Sequence, residues 1–188
     1  MTLREELVAV ALKWQKAFGV APHVTSAVAE YDAAKLVGML DDDYGLFMNG
    51  RTAVSKGADF KHNEKLYQIK ANRPSGHKGS AVTLVPKAKN YGWDILIWIL
   101  YDKEYNVVEA WQWDMEDYKQ QFDLKKRLSP KDMRQGICLK EPGSPQQRGL
   151  RQVDACTGEV AEQGEPTDAT QVPAERDLFQ PHHGDTGG

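Results

Sequence analysis

Cysteine is scarce: the 188 residues hold only Cys138 and Cys156, with no C-x-x-C pair and no clustered histidines. That leaves neither a disulfide scaffold nor a structural zinc site. Long apolar runs are missing as well. The best run, Ile95 to Tyr101, is closed by Asp94 and Asp102, far short of the roughly 18 residues that a spanning helix requires. Near the N-terminus, Glu5 and Glu6 precede only six apolar residues, Leu7 to Leu12, before Lys13. This does not match a signal peptide, so the expected compartment is the cytoplasm.

Aromatic residues are absent from one stretch almost entirely. Of 17, 16 lie at or before Phe122, and only Phe179 falls in the last 48 residues, which also hold 7 Gly and 5 Pro. The net charge of -3 divides unevenly. Residues 1–140 carry 21 Lys and Arg against 18 Asp and Glu, whereas residues 141–188 carry 3 against 9. A segment so acidic and so poor in apolar residues cannot offset its ordering entropy by burial. The expected organisation is one domain over 1–140, with its core at about 25–122, and a disordered acidic tail over 141–188.

Positive charge concentrates between Gly50 and Asn90, where nine Lys and Arg face only Asp59 and Glu64, a net of +7. Lys56, Lys61, Arg73, Lys78, Lys87 and Lys89 belong to that segment. Such a run is either a solvated lysine-rich surface or a face that meets a polyanion such as nucleic acid.

Hydrophobic periodicity places the elements. Thr2 and Glu5 form a T-x-x-E capping box, and Leu3, Leu7, Val10, Trp14 and Phe18 recur at helical spacing up to Gly19. A second helix is expected over Ser26 to Val37, with Thr25 or Ser26 as cap and Gly38 as its stop. Ala27, Ala34 and Val37 share one of its faces with Glu30. Strands are expected at Tyr44 to Met48, Ala58 to Phe60 and Leu66 to Ala71, with a turn over His62 to Lys65 between the last two. Ala81 to Tyr91, interrupted by Pro86, leaves room for a short helix. Ile95 to Tyr101 reads as a central strand with Val107 to Trp113 as its antiparallel neighbour. Asp114 then caps a helix to Phe122, and Ser129-Pro130-x-Asp132 starts one more. The four tryptophans from Trp93 to Trp113 are expected to pack in the core and on the sheet. The class is α/β, a mixed sheet of about five strands flanked by helices.

One cluster carries chemistry. Asp59 lies in a short strand, and Gln68 and Lys70, two residues apart on the next, point to one face. A hairpin brings Asp59 opposite them. A carboxylate and an amide oxygen can hold a hard cation, and an ammonium can orient or stabilise an attacking water, which is what phosphodiester hydrolysis requires.

With Gly57-Ala58-Asp59, then Gln68-Ile69-Lys70 in an apolar strand and Glu30 on an upstream helix, the stretch from Thr25 to Asp114 resembles the PD-(D/E)XK nuclease superfamily. Within it, the chain is similar to uncharacterised bacterial restriction-endonuclease-like domains. The resemblance implies a restriction-endonuclease-like fold. It also implies Asp59, Gln68, the Ile69 carbonyl and Glu30 around Mg2+ or Mn2+, with Lys70 assisting the nucleophile. Ala58 stands where the motif has Pro, and Gln68 where it has Asp or Glu. The function implied is a metal-dependent nuclease acting on duplex DNA in restriction, repair or defence. The alternative is a degenerate binding or interaction module on the same fold. Enzymes of this fold often act as dimers, so a homodimer is among the partners implied.

Overall fold

The computed structural model describes residues 1–49, 57–75, 77 and 79–143. The expected tail, from residue 144 onward, lies outside the described residues, as do Gly50, Lys56, Lys78 and Cys156.

The first helix, α1 (Leu3–Phe18), starts as expected: Thr2 and Glu5 form the reciprocal capping box, and Gly19 closes it in the left-handed region at φ 77°. The face it buries is a different one. Val8 and Ala11 are buried, while Leu3, Leu7, Val10, Trp14 and Phe18 remain exposed. The seating is fixed by polar anchors one step round the helix. Arg4 holds Asp32, and Gln15 meets Arg73, while the small Ala11 allows close approach.

Helix α2 (Thr25–Leu36) buries Val28, Ala29, Ala33 and Ala34, so Ala27 is not part of its packed face. Val24 occupies the cap position without a side-chain bond, so neither Thr25 nor Ser26 caps it. Tyr44 to Met48 is not a strand. It belongs to α3 (Asp41–Met48), whose first turn holds Asp41, Asp42 and Asp43, a charge placement that favours the positive end of a helix. Lys35 and Tyr31 of α2 both bond Asp41, which ties the start of α3 to α2.

The sheet follows: β1 (Phe60–His62), β2 (Lys65–Asn72), β3 (Ile95–Tyr101), β4 (Val107–Asp114) and β5 (Ile137–Lys140), in spatial order β1-β2-β3-β4-β5. Strands β2 and β3 run parallel, and the other neighbours are antiparallel. The class is therefore the expected one, α/β with a five-stranded mixed sheet between helices, although one expected strand became α3 and β5 was not anticipated. Strand β3 is apolar on both sides because both are covered. Tyr67, Ile69, Ile95, Ile97 and Ile99 pack with α1 and α2. Leu96 and Trp98 pack on the other side with Trp93, Trp113, Tyr118, Phe122 and Met133, so Trp93, Trp98 and Trp113 are core residues, with Trp111 packed against them.

Helix α4 (Met115–Phe122) follows Asp114, which sits at the cap without a side-chain bond. Helix α5 (Pro130–Met133) has the Ser129 and Asp132 capping box. No helix forms over Ala81 to Tyr91. Pro86 lacks the N–H a helix needs there, and the segment instead bridges Val85 to Leu128. Among the described residues no helix is long and apolar enough to cross a membrane.

Candidate active site

Asp59 sits immediately before β1, and its position is set by the hairpin. Its backbone N–H donates to the Tyr67 carbonyl at 2.7 Å, one step beyond the Phe60 and Tyr67 pair. The side chain therefore turns toward β2 just before β1 begins. There Oδ2 accepts the Ile69 N–H at 2.6 Å and a hydrogen bond from Gln68 Nε2. The N–H and C=O of one strand residue leave on the same side, so the Ile69 carbonyl emerges at the edge that Asp59 occupies.

Gln68 is buried and Lys70 half-buried. Alternation puts both on the side of the sheet that carries Leu96 and Trp98, their partners in the parallel pair. Asn72 continues the row, with Oδ1 accepting from Trp98 Nε1 at 2.9 Å and Nδ2 donating to the Leu84 carbonyl.

Glu30 comes from the other side, because α2 packs over Tyr67 and Ile69. The Tyr44 hydroxyl feels the charge of both Glu30 and Asp59. Burial pushes the Tyr44 hydroxyl up to about 12, and the negative charges of Glu30 and Asp59 add to the rise. The structure thus groups Asp59, Gln68 and the Ile69 backbone by direct bonds, while Glu30 belongs to the helix packed on the other face. Lys70 and Glu30 approach from opposite faces. Tyr44, expected in a strand, lies instead in α3 with its ring edge-on to Tyr31.

These residues meet a hard divalent cation in donor chemistry. Two carboxylates, a carboxamide and a backbone carbonyl are all oxygen donors. One condition applies. The Gln68 amide presents nitrogen to Asp59, and its oxygen faces that carboxylate only after the amide turns over, an arrangement that is repulsive unless a cation lies between them. Among the described residues no group of three or more His, Cys, Asp or Glu side chains is placed to hold a metal.

The basic residues divide by what already occupies them. Arg73 stacks on the Tyr105 ring at 4.1 Å and bonds Gln15 Oε1 and the Lys103 carbonyl. Lys87 Nζ donates to the carbonyls of Asp123 and Lys125, satisfying chain ends at the C-terminus of α4. Lys61 pairs with Glu64 at 2.8 Å, an exposed pair worth little. Lys89 is exposed. Lys56 and Lys78 lie outside the described residues. Three of the six candidate phosphate contacts therefore have intramolecular partners that their sequence positions did not reveal.

Comparison with protein-family models gives no match to this chain, and comparison with curated proteins gives none either.

Proposed function

We propose that the chain is a metal-dependent nuclease of the restriction-endonuclease-like class, hydrolysing phosphodiester bonds in duplex DNA. The observation that supports it best is the Asp59 carboxylate held just before β1 by the Ile69 N–H and the Gln68 amide, with Lys70 two residues beyond Gln68 on the same face of β2. A bound Mg2+ or Mn2+ supplies Lewis-acid stabilisation of the charge that builds on the phosphoryl oxygens. Asp59 and the Ile69 carbonyl would hold it, with the turned Gln68 amide, and with Glu30 reaching in from α2. Lys70 would orient the attacking water and offset negative charge as the bond to the leaving oxygen breaks.

A second reading is favoured by one specific feature. The Gln68 nitrogen facing Asp59 is the arrangement of a polar pair that satisfies itself, which suits a degenerate module that binds nucleic acid without cleaving it. Incubating the chain with supercoiled plasmid, linear duplex and single strands, in Mg2+, Mn2+ or EDTA, separates the two. The nuclease reading requires cation-dependent cleavage that Asp59→Asn and Lys70→Ala abolish. Cleavage that survives EDTA or both substitutions overturns it.

A further inference from the structure

The apolar stripe of α1 is left largely exposed by the described chain. Leu3, Leu7, Val10, Trp14 and Phe18 are 39% to 81% exposed, and the Trp14 and Phe18 rings pack on each other at 4.6 Å. A row of large apolar side chains left exposed along one helix is the kind of surface that marks an interaction site. The side of α1 that faces the body is already committed through Arg4, Val8, Ala11 and Gln15.

We propose that this stripe is a self-association surface on which α1 of a second copy lies antiparallel. Leu3, Leu7, Val10 and Trp14 follow one another at spacings of four, three and four, which is a coiled-coil seam. Charge along the helix then selects the direction. Glu5 and Glu6 lie in the first turn, and Lys13 and Lys16 lie in the second half. Glu6 and Lys13 occupy equivalent flanking positions, each immediately before a seam residue. In an antiparallel pair Leu7 meets the partner's Val10, Leu3 meets the partner's Trp14, and Glu6 meets the partner's Lys13, twice by symmetry. A parallel pair instead sets Glu6 against the partner's Ala11, which is buried against its own body. Self-complementarity of seam spacing and charge is why the occupant is a second copy and not an unrelated helix.

Sedimentation of the full chain under reducing conditions tests this independently of any nuclease activity. The parent chain is expected to be a dimer across micromolar concentrations. Val10→Asp, at an exposed position, should give a monomer with unchanged circular dichroism. Glu6→Lys and Lys13→Glu should each weaken the dimer about tenfold or more by setting like charges together, and the double exchange should restore it. A monomeric parent overturns the proposal, as does a dimer that Val10→Asp leaves intact. Single exchanges without effect, or a double exchange that fails to restore, overturn the antiparallel arrangement.

Discussion

Gln68 donates its amide nitrogen to the carboxylate of Asp59, the same oxygen that takes the Ile69 N–H. A neutral donor thus occupies the place where a second carboxylate would need a cation beside it. Gln68→Glu converts that hydrogen bond into contact between like charges. Without divalent ions the variant should lose about 1–3 kcal/mol of stability. Millimolar Mg2+ or Mn2+ should recover it, since a ligand that binds only the folded state raises the melting temperature. Thermal denaturation with each cation and with EDTA reads this directly. A variant that folds but whose melting temperature ignores both cations would remove the case for a metal at Asp59.

The pair between Glu109 and Arg134 carries an acid dependence. Glu109 is 1% exposed and accepts Arg134 Nε at 2.9 Å, Nη2 at 2.6 Å and Trp111 Nε1 at 2.8 Å. Burial pushes the Glu109 carboxyl up, but the bonds from Arg134 and Trp111 outweigh it and the net shift is downward. Asp132 behaves alike, burial being outweighed by Lys125 and Ser129. A carboxyl lowered on folding stabilises the protein above its unfolded value, about 4, and that contribution is lost as pH falls through the lower folded value. Urea midpoints should therefore hold from pH 7 to about 5 and fall below that. Arg134→Ala should cost about 2–3 kcal/mol at neutral pH, less than a fully buried pair because the Arg134 side chain is 45% exposed. It should also flatten the acid limb. An unchanged limb would mean that other carboxylates govern it.

What was legible in the sequence was what depends on local chemistry or on a long apolar run. The Thr2 and Glu5 box, the Gly19 stop, the Ile95 to Tyr101 strand and the Ser129 and Asp132 box are all local. The contact of Asp59 with the Gln68 strand was legible too, because a hairpin fixes register over a few residues. Tyr44 to Met48 failed because five residues of mixed character fit either period, and its helix depends on contacts from Lys35 and Tyr31. For α1 the periodicity predicted the helix and left its seating open. Apolar spacing names a face but not what covers it, and Arg4 and Asp32, 28 residues apart, decided the seating. Strand β5 is a four-residue edge with its first two residues exposed, too short to leave a periodic signal.

Tyr101 and Tyr105 are a matched contrast in the core. Both are buried and their rings lie 6.0 Å apart. The Tyr101 hydroxyl donates to Asp32 Oδ2 at 2.8 Å, where Arg4 also bonds. The Tyr105 hydroxyl is buried without a hydrogen-bond partner, although Arg73 stacks on its ring. Tyr101→Phe should therefore cost about 1–2 kcal/mol, whereas Tyr105→Phe should be neutral or stabilising by up to about 1 kcal/mol, because it removes an unsatisfied buried group. Chemical denaturation of the two variants checks the difference. Equal losses would show that the Tyr105 hydroxyl has a partner in solution.

Among the basic residues, internal partners should separate stability from nucleic-acid affinity. Arg73 bridges Gln15, Lys103 and the Tyr105 ring, and Lys87 holds two carbonyls at the end of α4. Their charges are partly spent on the protein itself. Lys89 is exposed and has its full ammonium to offer a phosphate. Each phosphate neutralised adds about 0.9 to the slope of log affinity against log salt for duplex DNA. Lys89→Ala should lower that slope by about 1 with no change in melting temperature. Arg73→Ala should instead cost roughly 1–3 kcal/mol of stability through lost hydrogen bonds and ring contact, lowering the melting temperature, and leave the slope nearly unchanged. Fluorescence anisotropy on a duplex across salt concentrations, run beside thermal melts, gives both quantities. A slope that drops with Arg73→Ala and not with Lys89→Ala would put the phosphate path over the Arg73 and Tyr105 side of the molecule, away from Lys89.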